Sequence, residues 1–137
     1  MSRWLIDTGP LVALLVRTDH HHDWARQQLH QAPPAVTTCD AVISESLFLL
    51  KRAGHDCEML FDLMATGFLR SDFSLSDEQG SIRQLMRSYA DLPTSFADAC
   101  MVRMCELEPD SLVWTLDRNF HIYRRFKNRK IPLIIPD

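Results

Sequence analysis

Four acidic residues occupy positions where carboxylates can do chemistry. Asp7 directly follows the apolar run Trp4-Leu5-Ile6 and precedes Thr8-Gly9-Pro10. Asp117 directly follows the run Ser111-Leu112-Val113-Trp114-Thr115-Leu116. Asp98 has Met101, Val102 and Cys105 three, four and seven places on, so it heads the apolar stripe of a helix. Glu45 sits in the second turn of another helix, flanked on the wheel by Phe48 and Leu49, with Arg52 near that edge. Singly, each has an ordinary structural explanation. Asp7 and Asp117 suit helix N-caps, Ser95-Phe96-Ala97-Asp98 suits a capping box with Asp in place of Glu, and Glu45 can pair with Arg52. Together they pose a harder problem, because converging carboxylates repel unless a proton or cation intervenes. An oxygen-only donor set suits Mg²⁺ or Mn²⁺.

The elements that must position these acids follow from pattern and punctuation. Arg3–Ile6 reads as a strand and Pro10–Val16 as a short helix with proline in its first turn. Asp23–Gln31 is an amphipathic helix closed by Pro33-Pro34, followed by a strand Ala35–Thr38 and a helix from Asp40 to Ala53. Gly54 interrupts, and Asp56–Ala65 resumes as helix until Gly67. Phe68–Ser71 is a brief strand, Ser76–Tyr89 a helix with Asp77 and Glu78 at its start and Arg87 at its end, and Ser95–Glu106 a further helix. Ser111–Leu116 is apolar enough to be buried on both faces. A helix Arg118–Phe126 and a strand Ile131–Ile135 complete the reading. Alternating strands and helices imply a three-layer α/β/α sandwich around a parallel sheet, with ligands at the carboxyl ends of the strands. No linker or repeat divides the chain, which reads as one unit over residues 1–137.

Composition limits the function classes. With 137 residues, 46% of them hydrophobic, the chain is long enough to bury a core, and its 24% charged residues are ordinary for a globular protein. A net charge of −3 argues against a generally basic nucleic-acid binder but permits a local basic patch. The apolar runs are too short to span a bilayer, and a secretory signal pattern is missing. Cys39, Cys57, Cys100 and Cys105 form neither a C-x-x-C pair nor zinc-like spacing, which fits free thiols in a reducing cytoplasm. A dehalogenase-type phosphatase needs a second aspartate where Gly9 stands, and a response-regulator receiver needs an acidic pair that the first strand lacks.

LIDTGPLVALL, then Ile43-Ser44-Glu45, LPTSFADAC and TLDRNFHIYR, in that order, make the chain resemble the PIN-domain ribonucleases, most closely the VapC-like toxins of toxin–antitoxin pairs. The resemblance implies an endoribonuclease dependent on Mg²⁺ or Mn²⁺, acting on RNA phosphodiesters. Carried over residue by residue, its catalytic and metal-holding acids are Asp7, Glu45, Asp98 and Asp117, with Thr115 and Thr8 as auxiliary polar residues. Thr8-Gly9 departs from the Thr-Ser or Thr-Asn commoner after the first aspartate. An antitoxin partner, a homodimer, a cytoplasmic location and no membrane attachment are further implications. The alternatives are a non-catalytic PIN-like module binding RNA or protein, and a housekeeping nuclease without an antitoxin.

Beside Asp117, Arg118, Arg124, Arg125, Lys127, Arg129 and Lys130 form a basic stretch suited to RNA phosphates, foremost Arg118, or to a solvated face. His20-His21-His22 reads as a surface turn, since adjacent histidines cannot face one ligand. Asp91, ahead of Leu92-Pro93, reads as a turn starter.

Overall fold

A computed structural model describes residues 2–137; Met1, the first residue of the expected 1–137 unit, lies outside the described residues. Five strands form a parallel sheet: β1 (Arg3–Ile6), β2 (Val36–Thr38), β3 (Leu69–Ser71), β4 (Ser111–Trp114) and, last in the chain, β7 (Leu133–Ile134). Their order is β3-β2-β1-β4-β7, so β1 is central and the chain moves first to one side of it, then to the other. That reversal between β1 and β4 is the kind of crevice where open α/β sheets bind ligands. The helices are α1 (Thr8–Leu15), α2 (His22–Leu29), α3 (Asp40–Arg52), α4 (Glu58–Ala65), α5 (Leu75–Ser88) and α6 (Phe96–Leu107). They cover the sheet to give the three-layer α/β/α sandwich that the strand–helix alternation predicts.

Burial explains the ordering. Leu5, Ile6, Val36, Leu69, Val113 and Trp114 bring apolar side chains from four adjacent strands into one core. Helix α6 packs on β1 and β4 and buries a continuous run from Ala97 to Val102, the pattern of a helix enclosed on most sides. Trp4 and Trp114 meet edge to face at 5.4 Å across β1 and β4. Gly54 and Gly67, with φ of 79° and 85°, take the left-handed conformation just past α3 and α4, which is why both helices stop there.

The chain departs from the sequence expectation after Trp114. Strand β4 ends there, so Thr115 and Leu116 form a short exit segment before Asp117. The helix expected over Arg118–Phe126 is only a 3-10 turn, Arg118–His121. An antiparallel ribbon follows, β5 (Arg124–Arg125) against β6 (Arg129–Lys130). Its turn holds Phe126 and Lys127 at φ of 52° and 72°. Neither residue type signals a left-handed turn, so the ribbon had no local marker. It is tied down from outside: the Phe126 N–H donates to Glu106 Oε2 at 2.7 Å.

Candidate metal and phosphodiester site

Strand register places the first two polar groups. Ile6 lies opposite Trp114 in the β1–β4 pairing, so the next pair outward is Asp7 and Thr115. Thr115 is fully buried, and its Oγ1 donates to Asp7 Oδ2 at 2.7 Å. The same oxygen accepts the Asp117 N–H at 2.9 Å. One hydroxyl thus fixes the Asp7 carboxylate and the backbone that carries Asp117. On the other side of β1, Thr38 Oγ1 donates to the Ile6 carbonyl at 2.8 Å, holding the strand end in place.

Asp7 occupies the N-cap position of α1 with extended backbone, yet its side chain makes no cap hydrogen bond. A cap would satisfy it; instead it is turned toward Thr115 and only 6% exposed. Burial pushes its carboxyl up to about 6, against the opposing Thr115 hydrogen bond, and Asp98 and Asp117 add to the rise. Asp98 does cap. Its N–H bonds Ser95 Oγ at 3.0 Å, and its Oδ2 accepts the Ser95 N–H at 3.4 Å. That same Oδ2 also accepts from the buried Tyr123 hydroxyl at 2.9 Å, which leaves Oδ1 available to a ligand. Burial raises the Asp98 carboxyl too, opposed by Tyr123 and reinforced by the Asp117 charge. Asp117 accepts the Asn119 N–H at 2.9 Å and so caps the 3-10 turn. Glu45 is exposed on α3, the fourth wall of the same cavity.

Those four acids, with Thr8, Gly9, Leu49 and Leu116, line a cavity of about 300 Å³ at the carboxyl edge of the sheet. Among the described residues, no three His, Cys, Asp or Glu side chains form a closed metal cage. Two observations nevertheless fit a hard cation. The donors are all oxygens, and none of the four acids takes part in an ion pair among the described residues. The Thr8 hydroxyl, buried beside Asp7, has no hydrogen-bond partner, and Thr8 is among the residues lining the cavity.

Gly9 has a steric role. A Cβ there would meet Leu116 Cδ1 at 3.0 Å and its Cβ and Cγ at 3.1 Å, tighter than most side-chain contacts, so Leu116 would have to give way slightly. The start of α1 therefore lies directly on the segment that leads into Asp117.

The basic stretch divides. Arg124 uses Nη1 to cap the carbonyls of His121, Ile122 and Tyr123 at 2.7–3.0 Å. Arg125 Nη1 donates to Pro109 O at 2.9 Å and Cys105 O at 3.4 Å, stapling the end of α6. Through Nη1 both guanidinium groups tie down backbone carbonyls, while Arg118, beside Asp117, and Lys127, Arg129 and Lys130 are exposed. Asp91 is exposed and outside the cavity lining. The three histidines do lie at a turn leading into α2, with His22 Nδ1 donating to the Ala13 carbonyl at 2.6 Å.

Tyr123 was not singled out by sequence. It is fully buried, stacks against Phe120 and Tyr89 at about 5 Å, and positions Asp98. The three-residue spacing of Phe120 and Tyr123 after Asp117 is the signal that marks it: an apolar pair on one side of a short helical turn.

A family model described as the PIN domain matches residues 4–125. No curated protein matches the chain. Among solved structures, the VapC20 toxin of Mycobacterium tuberculosis, described as cleaving the sarcin–ricin loop, has the same fold with a TM-score of 0.77. The identity is 20%, over 92% of this chain and 98% of that one.

Proposed function

The chain belongs to the PIN-domain family, and from that premise we propose that it is a metal-dependent endoribonuclease, the toxin of a toxin–antitoxin pair. One observation carries the chemistry: two buried carboxylates, Asp7 and Asp98, share a cavity with Asp117 and Glu45 and have no cationic partner. Asp7, Asp98 and Asp117 would hold Mg²⁺ or Mn²⁺. When bound, such an ion lowers the pKa of a water and polarises a phosphoryl oxygen.

The chain's own residues do the positioning. Thr115 keeps the Asp7 carboxylate in one rotamer and sets the height of Asp117. Tyr123 and Ser95 hold Asp98 by one oxygen. Glu45, solvent-accessible across the cavity, would orient the attacking water or take its proton. Thr8 offers its unpartnered hydroxyl to the same water network. Arg118 would hold an adjacent phosphate, a contact that positions RNA without reading its sequence. A small DNA-binding antitoxin, a second copy of this chain and a cytoplasmic setting complete the proposal. The likeness in fold to a toxin described as cleaving the sarcin–ricin loop supports a looped RNA as substrate. No helix of the described residues is long and apolar enough to cross a membrane.

The test is RNA cleavage by the purified, partner-free chain with Mg²⁺ or Mn²⁺, across transfer, ribosomal and messenger RNA. Activity stopped by EDTA and lost in Asp98→Asn supports the proposal. Cleavage that persists in EDTA, or in Asp98→Asn, overturns it.

A further inference from the structure

Next to the acid cavity lies a second, more open cleft of about 620 Å³, between the outer face of α3 and the first turn of α6. Its walls include Glu45, Phe48, Ser95 and Phe96. Glu45 lines both cavities, so the two adjoin at that residue. Phe48 is 62% exposed, more than any other large hydrophobic side chain described, and Phe96 is 40% exposed. Each ring lies a short step from an acid of the site: Phe48 three residues beyond Glu45, Phe96 two residues before Asp98.

We propose that Phe48 and Phe96 form the docking place for an unpaired nucleobase next to the scissile phosphate. The inference rests on the nuclease reading and names the substrate class of that site: RNA that is single-stranded or looped at the cleavage point. Three features commit the cleft to a base. Aromatic rings open to water offer a stacking surface that accepts any base. The lining contains no lysine or arginine, and its one charged residue is Glu45, so a phosphate is disfavoured and a neutral ring preferred. Glu45, common to both linings, sets the cleft directly beside the acid cavity. A base held in a continuous duplex cannot reach it, whereas RNA loops present splayed bases for such stacking.

Binding of fluorescein-labelled single-stranded oligoadenylate and of a blunt RNA duplex, measured by anisotropy in EDTA, tests this apart from catalysis. Phe48→Ala and Phe96→Ala should each weaken oligoadenylate binding roughly 5- to 100-fold, with Phe48→Trp close to the native chain. Duplex binding should be unaffected by all three. Hydrolysis of methyl p-nitrophenyl phosphate, a diester without a base, should also be unaffected. Both rings are solvent-exposed, so thermal melts should confirm folded variants. Unchanged oligoadenylate binding in both alanine variants overturns the proposal. So does a loss of dimerisation by those variants with RNA affinity retained, which would make the face a contact between copies. If the native chain cleaves no RNA with Mn²⁺ yet the phenylalanine effect on oligoadenylate binding remains, the nuclease reading fails and the cleft stands as a base-binding site alone.

Discussion

Acidic side chains are treated in opposite ways at two places on α6. Toward the middle and end of the helix, Glu78 of α5 and Glu106 of α6 share Arg103, at 2.7 and 3.1 Å, and Glu106 also takes the Phe126 N–H. Both glutamates there touch a cation, and the cluster fastens α5, α6 and the β5–β6 ribbon together. At the start of the same helix, Asp98 receives only neutral donors, Ser95 and Tyr123, as Asp7 receives Thr115. Neutral donors fix a carboxylate in space without cancelling its charge. The paired cluster completes the fold, and the unpaired one is where the proposed cation would supply the missing charge.

Removing an unpaired acid should have the largest effect on activity. Asp98→Asn or Asp7→Asn is expected to lower RNA cleavage about a thousandfold or more, measured as kcat/KM with saturating Mn²⁺. Asp7→Asn should also stabilise the metal-free fold. Its carboxyl rises from 3.8 to about 6 on folding. Between those values the folded chain keeps a proton that the unfolded chain has lost, so stability falls as pH rises through that window. The accumulated cost above pH 6 is roughly 3 kcal/mol. Urea melts in EDTA should show a larger loss in the native chain than in Asp7→Asn, where the raised Asp98 carboxyl remains. Added Mn²⁺ should restore stability to the native chain alone. If Asp7→Asn is less stable than the native chain at pH 8 without metal, the contrast between the two clusters is wrong.

Tyr123→Phe comes next. It deletes the buried donor to Asp98 while keeping the ring contacts, and should weaken Mn²⁺ binding roughly 10- to 100-fold, read by calorimetric titration. Arg103→Ala probes the other cluster. It leaves two half-buried glutamates facing each other and should cost about 2 kcal/mol in urea unfolding, with cleavage rates nearly native. A loss of activity larger than the loss of stability would mean that the two clusters are coupled along α6.

How much of this was legible in sequence depends on what each residue's neighbours are. Asp7 and Asp98 could be read because each interrupts an apolar pattern at a fixed offset, and β1 and α6 follow that pattern closely. The pairing of Thr115 with Asp7 depends on strand register, 108 positions apart in the chain; the resemblance marked Thr115 as an auxiliary polar residue without naming its partner. Arg124 and Arg125 looked like Lys127 and Arg129 because charge is local information. Their use as staples depends on carbonyls exposed by the short 3-10 turn and by the end of α6. The ribbon's turn was illegible for a related reason: Phe126 and Lys127 are held at positive φ by tertiary contacts.

Gly9 and Leu116 act as a volume-sharing pair. The space that a side chain at position 9 would need is already filled by Leu116. Gly9→Ser, which would bring back the hydroxyl commoner in the resembled family, should therefore cost about 1–3 kcal/mol in thermal unfolding and shift Asp117 outward. Gly9→Ser with Leu116→Ala should recover part of that loss, as neighbouring sites depart from additivity. The two positions are free to vary only in concert, and the site tolerates a new group at one only when the other gives up room.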